Sequence, residues 1–263
     1  MTLKRLAVTV CLLLIPFTAH SQQSDPHAVS LLERSLGALS KGVPVSDVTL
    51  TGTARRIAGS EDETGTATLK ELVTGQARMD LSFPSGNRSE TRANSPQGPV
   101  GNWIGPDGIP HPIAEHNLLA DGSWFFPALM LYRLQTSQNI VLSSSDNEAH
   151  DGNVVNAFTA YQQFTGSRLP AHAVEMLQHA SQIKIYLDPS SLLPSAVSFN
   201  GHPDNNARRD IPVEIRYSDY RAIAGVQVPF HIQKYVNNGL ILDLQFELAV
   251  LNSGLAASAL SLQ

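Results

Sequence analysis

Tyr217-Ser218-Asp219-Tyr220-Arg221-Ala222-Ile223-Ala224-Gly225-Val226-Gln227-Val228-Pro229-Phe230-His231-Ile232 reads as a strand, a short turn with one glycine, and an apolar strand returning through Val-Pro-Phe. Asn237-Asn238-Gly239 then signals a second hairpin. The strand after it is very regular. Leu240, Leu242, Leu244, Phe246, Leu248 and Val250 sort to one face, and Asp243, Gln245 and Glu247 to the other. Period-two alternation marks an antiparallel sheet with one packed face and one wet face.

The same pattern extends upstream. Ile211, Val213, Ile215 and Tyr217 alternate with Glu214, Arg216 and Ser218. Ile183, Ile185 and Leu187 alternate with Lys184, Tyr186 and Asp188, and Asp188-Pro189-Ser190-Ser191 turns the chain into a partner strand, Leu193 to Phe199. Nearer the N-terminus, Val48 and Leu50, then Ala67 and Leu69, then Met79, Leu81 and Phe83 mark strands, with turns at Gly75 and Pro84-Ser85-Gly86. Ser95 to Pro112 carries five prolines and four glycines, which excludes a long helix or a central strand.

Helical spacing occurs in a few places. Ser24-Asp25-Pro26 is a helix start, followed by Val29, Leu32, Leu36 and Leu39 as one apolar stripe, broadened by Leu31 and Ala38 and ended by Lys41-Gly42. Ala114 to Ala120 supplies a turn or two, Pro127 opens a second helix, and Ala171 to Ala180 forms a third. About ten to twelve strands with these helices predict a mainly β protein with some α: one curved antiparallel sheet with helices packed on its concave side.

The hairpin residues Asp219-Tyr220-Arg221, Gly225-Val226 and Val228-Pro229-Phe230, with Ile232, Tyr235 and the preceding Ile185-Tyr186-Leu187-Asp188 and Leu193-Pro194, resemble the LolA/LolB-like superfamily of periplasmic lipoprotein-sorting carriers and related sensor domains. The resemblance covers roughly residues 180–252. It implies an incomplete β-barrel whose hollow is covered by lid helices, and a task of holding an acyl chain or another apolar ligand between sheet and lid. It also implies an arginine that holds the lid, for which Arg78, Arg88 and Arg92 are the candidates. The expected lining is Met79, Leu81, Ile185, Ile215, Phe230, Phe246 and Leu248, and the expected lid is Trp124, Phe125, Phe126, Leu129 and Met130. A packed core would use the same residues. Trp124-Phe125-Phe126 has neither helical nor strand spacing, so it is equally a candidate for an exposed partner surface.

Residues 1–21 read as a cleaved signal peptide: Lys4-Arg5, an apolar run from Leu6 to Phe17, and Ala19-His20-Ser21 as the cleavage site. The run is too short to anchor the chain in a bilayer. Cys11, the single cysteine, lies mid-run rather than at the cleavage site, which argues against acylation. Residues 22–263 are then one cysteine-free domain, periplasmic or secreted, without disulfides or thiolate chemistry. Without Lys4 and Arg5, 16 of the 18 basic residues face 23 acidic ones, a net charge of −7 that gives no support for nucleic-acid binding.

No catalytic pattern competes. His172, Glu175 and His179 share a helix face, but the two histidines stand two turns apart, about 10 Å, too far to ligate one ion. His111 and His116 flank Glu115 in an irregular segment. His150-Asp151 precedes Gly152 as a turn, Ser143 to Ser145 lack a nucleophile elbow, and Glu61, Asp62 and Glu63 form a solvated hairpin tip. No ionisable cluster is expected inside the concavity, and no metal or cofactor. The chain reads as a non-enzymatic monomeric carrier or sensor for a lipid or lipoprotein acyl chain, with at most peripheral membrane contact. The alternative is an interaction module for an envelope protein, built on the same fold with a packed interior.

Overall fold

The computed structural model describes residues 23–96, 98–120, 124–164 and 168–261. The expected signal peptide lies outside them. The strands are β1 (Asp47–Ala58), β2 (Glu61–Leu72), β3 (Ala77–Phe83), β4 (Gly86–Ser95), β5 (Gly98–Ile104), β6 (Pro110–Pro112), β7 (Ile140–His150), β8 (Asn153–Gln162), β9 (Ile183–Leu187), β10 (Pro194–Gly201), β11 (Ile211–Ile223), β12 (Val226–Val236) and β13 (Gly239–Leu251). They form one antiparallel sheet of 13 strands in the order β6-β5-β4-β3-β2-β1-β13-β12-β11-β10-β9-β8-β7. Two meanders therefore meet where the first strand pairs with the last. The outermost strands, β6 and β7, are not paired with each other, so the sheet stays open.

The helices are α1 (Pro26–Ser40), α2 (Pro127–Thr136) and α3 (Ala171–Ala180), with a 3-10 turn at Glu115–Leu118. None of the described helices is long and apolar enough to cross a membrane. Helix α1 touches α2, β7, β8 and also β12. Three strands separate β8 from β12 in the sheet, so one helix reaches both only because the sheet curls around it.

Helix α1 starts as its sequence requires. The Asp25 carboxylate accepts from the His27 amide at 2.8 Å, Pro26 takes the first turn, and Lys41 ends the helix in the left-handed region at φ 49°. Its buried face centres on Leu31, Leu32, Ser35 and Leu39, with Val29 and Leu36 at the margin. Asp25 also covers the free edge of β7: its amide donates to the Leu142 carbonyl at 2.8 Å, and its carboxylate accepts from the Ser144 amide and hydroxyl.

The Gly/Pro-rich segment supplies β5 and β6, placed at one margin of the sheet where a proline without an N–H removes no central ladder bond. The β7–β8 hairpin has no counterpart in the sequence reading. Ser143, Ser144 and Ser145 give β7 no apolar alternation, and Ala157 to Ala160 in β8 are buried on both faces.

One expected face assignment is overturned. In the β1–β13 pairing Thr51 faces Leu248 but Gly52 faces Phe246, so Glu247 is an extra, bulged residue. Before it Leu242, Leu244 and Phe246 point inward; after it Ala249 does. Leu248, expected in the lining, is 56% exposed, and Val250 is exposed with it. Gly52 permits this close approach, since a Cβ there would lie 2.1 Å from the Gln245 carbonyl oxygen.

The Asp188 turn is held by side-chain acceptance. Its Oδ1 accepts from the hydroxyl and amide of both Ser190 and Ser191. The Ser190 hydroxyl and Ser191 amide are the largest causes that bring its pKa down to about 2.

Gly52→Ala is expected to lower unfolding free energy by about 1–3 kcal/mol, and Leu248→Ser to change it by less than ~0.5 kcal/mol, in urea unfolding. An uninterrupted alternation would make Leu248 the costlier change. Because the folded-state pKa of Asp188 is depressed, its stabilisation is present above the unfolded value near 3.8 and is lost as pH falls toward about 2. The stability gap between wild type and Asp188→Ala should therefore narrow between pH 4 and pH 2.

Candidate functional site

The concave face of the sheet is apolar and must be covered. The chain covers it with the segment entering α2. Trp124, Phe125 and Phe126 are all buried, Phe126 completely, and Leu129 and Leu131 of α2 follow them inward. The Tyr217 hydroxyl, on β11, donates to the Trp124 carbonyl at 2.6 Å. The Lys234 ammonium, on β12, stands 5.1 Å from the centre of the Trp124 indole. The aromatic run is thus a plug in the hollow, and its reading as an exposed partner surface is corrected.

The ion pair that fastens α2 to the sheet joins Glu71 of β2 to Arg133. The Glu71 side chain is fully buried on the same face as Ala67 and Leu69. The cation that ties α2 to the sheet is therefore on α2 itself, and none of Arg78, Arg88 and Arg92 supplies it. Arg78 pairs with Asp80, Arg88 lies 3.6 Å from Glu63, and Arg92 pairs with Glu90 at 2.7 Å.

Glu90 corrects a further expectation. Together with Arg92 and Lys234 it puts ionisable groups on the concave side, beside Met79 and Trp124. Strand β4 has almost no apolar residues, so alternation could not reveal which face these charges take. Burial alone would raise the Glu90 pKa, but the charges of Arg92 and Lys234 outweigh it and hold the carboxyl below its usual range. A general base acting near neutral pH needs the opposite shift, so the cluster has the electrostatics of a structural ion pair.

Two pockets flank α2. One of about 610 Å³ opens between the C-terminal end of α1, the loop at 42–46 and α2, lined by Leu36, Val43, Val45, Val73, Leu129 and Tyr132. Asn252 pins its rim: its side-chain Oδ1 accepts from the Ser46 amide at 2.7 Å, and its Nδ2 donates to the Pro44 carbonyl at 3.0 Å. The second, about 200 Å³, lies beyond α2 against Leu118, Trp124, Met130, Leu134, Ile183 and Phe199. A helix bordered by space on two sides is held mainly by its buried face and its ion pair.

Of the expected lining, Leu81, Ile185, Ile215, Phe230 and Phe246 lie in the packed core and border neither pocket. Met79 is partly buried against that core, next to Trp124 and Phe125. Of the expected lid, Leu129 borders the larger pocket, and Trp124 and Met130 the smaller. The loop residues Val43 and Val45 were missed, because they stand between helix and strand without periodicity.

A domain from Vibrio parahaemolyticus described as an outer membrane lipoprotein-sorting protein superposes with a TM-score of 0.55 at 12% identity, covering 89% of this chain and 96% of that one. A LolA superfamily protein from Nitrosomonas europaea gives a TM-score of 0.54 at 12% identity, with 89% and 97% covered. The fold is LolA-like. A DUF1329 family protein from Desulfovibrio piger shares it, with a TM-score of 0.54 at 12% identity and 91% and 100% covered. No protein-family model and no curated protein matches the chain. At these identities the similarity concerns the LolA-like architecture and leaves the residues of α2 and its pockets to be read for themselves.

Arg133→Ala leaves the Glu71 carboxylate buried without its cation and is expected to cost about 3–5 kcal/mol. The double variant Arg133→Met, Glu71→Leu should recover most of that loss in thermal unfolding. A double variant as unstable as the single one would mean that the pair does not act as a unit.

Proposed function

We propose that this chain is a non-enzymatic carrier or sensor of the periplasm or extracellular space, and that it binds one acyl chain of a lipid or lipoprotein with α2 as its lid. The observation that carries this reading is the pocket of about 610 Å³ with apolar walls against α2. Its size falls in the usual range for ligand sites. The lipoprotein-sorting domain that shares the fold supports the same class of ligand.

The hollow itself is filled by Trp124, Phe126 and Leu129, so an acyl chain reaches it only by moving them aside. A chain entering beside Leu129 displaces α2 and joins the two flanking pockets through the hollow. Each buried methylene contributes ~0.8 kcal/mol, so a fourteen-carbon chain gains on the order of 10 kcal/mol before ordering costs. That is large enough to offset separating the Glu71–Arg133 pair, whose net worth is small because both charges regain water when they part.

The test is displacement of a fluorescent long-chain fatty-acid probe from delipidated protein, alongside mass spectrometry of lipid extracted from the purified chain. Leu36→Asp and Val45→Asp should weaken probe binding by at least ~10-fold, since each puts an unpaired charge in the pocket wall; Trp103→Ala should not change it. Absence of both probe binding and co-purified lipid would overturn the reading. The second reading, an interaction module, draws on the filled hollow and on Val100, Trp103 and Ile109 exposed near the β5–β6 edge.

A further inference from the structure

We propose that His179, His202 and Asp210 form a binding site for one divalent transition-metal ion, with zinc the best fit. The three come from separate places: His179 from the last turn of α3, His202 from just after β10, and Asp210 from just before β11. Their ligand atoms all lie within 4.8 Å of one another. The Nε2 atoms of His179 and His202 converge on the same carboxylate oxygen, Oδ1 of Asp210, at 2.9 Å and 3.1 Å. Donors bound tetrahedrally to zinc at 2.0–2.2 Å stand roughly 3.3 Å apart. A small outward movement of the two exposed side chains, His179 and Asp210, therefore admits an ion.

The buried member is held in advance. His202 is 4% exposed. Its amide donates to Asn117 Oδ1 at 2.8 Å, and its carbonyl accepts from Asn117 Nδ2 at 2.8 Å. His116 adds a contact from its Nε2 to the Pro203 carbonyl at 3.2 Å. The 3-10 turn thus fixes the loop that presents His202, and pre-positioned ligands are what a metal site needs.

The alternative cluster makes the contrast. His150, Asp151 and Glu214 are also close enough to share an ion. There Arg216 already supplies the cation, pairing with both Asp151 and Glu214, and His150 stacks on Tyr186. No Lys or Arg pairs with Asp210 among the described residues; its ion partners there are the two imidazoles. Two imidazoles and one carboxylate suit zinc, copper(II) or nickel(II), whereas calcium and magnesium favour all-oxygen shells. The exposed side leaves a fourth position to water or to a donor from another molecule. His202 Nδ1 is buried with no hydrogen-bond partner among the described residues. The supporting bond that strengthens such a ligand is therefore missing, which weakens binding by ~10–100-fold relative to a fully supported site.

The experiment is calorimetric titration of Zn²⁺ into the chelator-stripped full chain, prepared without a polyhistidine tag. One ion per chain is expected, with affinity falling as the pH is lowered because protons compete with the metal for its ligands. His179→Ala and Asp210→Asn are at exposed positions and should leave folding intact by circular dichroism. Each should weaken binding by more than ~100-fold, beyond the loss of a supporting residue, while His150→Ala leaves it unchanged. Failure to bind Zn²⁺, binding undiminished in both variants, or binding removed by His150→Ala would each overturn the proposal.

Discussion

One apolar face, with no second sheet to cover it among the described residues, governs this molecule. An open curved sheet of 13 strands exposes its concave side unless helices fill it. Helix α1 supplies part of the cover and spans strands far apart in the sheet. The remainder comes from Trp124, Phe125, Phe126 and α2, whose placement depends on the Tyr217–Trp124 hydrogen bond and the Glu71–Arg133 pair. Burial provides the driving force, and these polar contacts choose one seating for a segment that apolar contact alone would hold without direction.

That division of labour bears most on α2. It has 10 residues, too few to be stable as a helix on its own, and pockets lie on two of its sides. Its attachment combines a buried ion pair, whose net worth is small once desolvation is counted, with an apolar face that an acyl chain can imitate. The LolA-like architecture seen at 12% identity shows that the container tolerates wide sequence change.

Much of the fold was legible. Helix α1 follows from Asp25-Pro26 and an apolar stripe, and the Asn237-Asn238 turn has both residues at positive φ, as a tight hairpin requires. The site was legible only in part. Glu71 and Arg133 are 62 positions apart, and neither stands out in its own segment. His179 shares a helix with His172, whereas the partners it meets arrive from the β10–β11 connection. Val43 and Val45 line the larger pocket from a loop, where no periodicity marks them.

By itself the sequence determined the antiparallel grammar, because alternation, turn residues and caps are local and each acts over a few positions. It also determined that one side would be greasy and that the Gly/Pro-rich stretch would stay at a margin. Only the tertiary structure decided that β1 closes on β13, that a single bulge at Glu247 turns Leu248 outward, and that the aromatic run fills the hollow. The reason is physical. A bulge, a buried ion pair and a plug are settled by which distant surfaces meet, and a residue's face is fixed by its partner's register as much as by its own hydropathy.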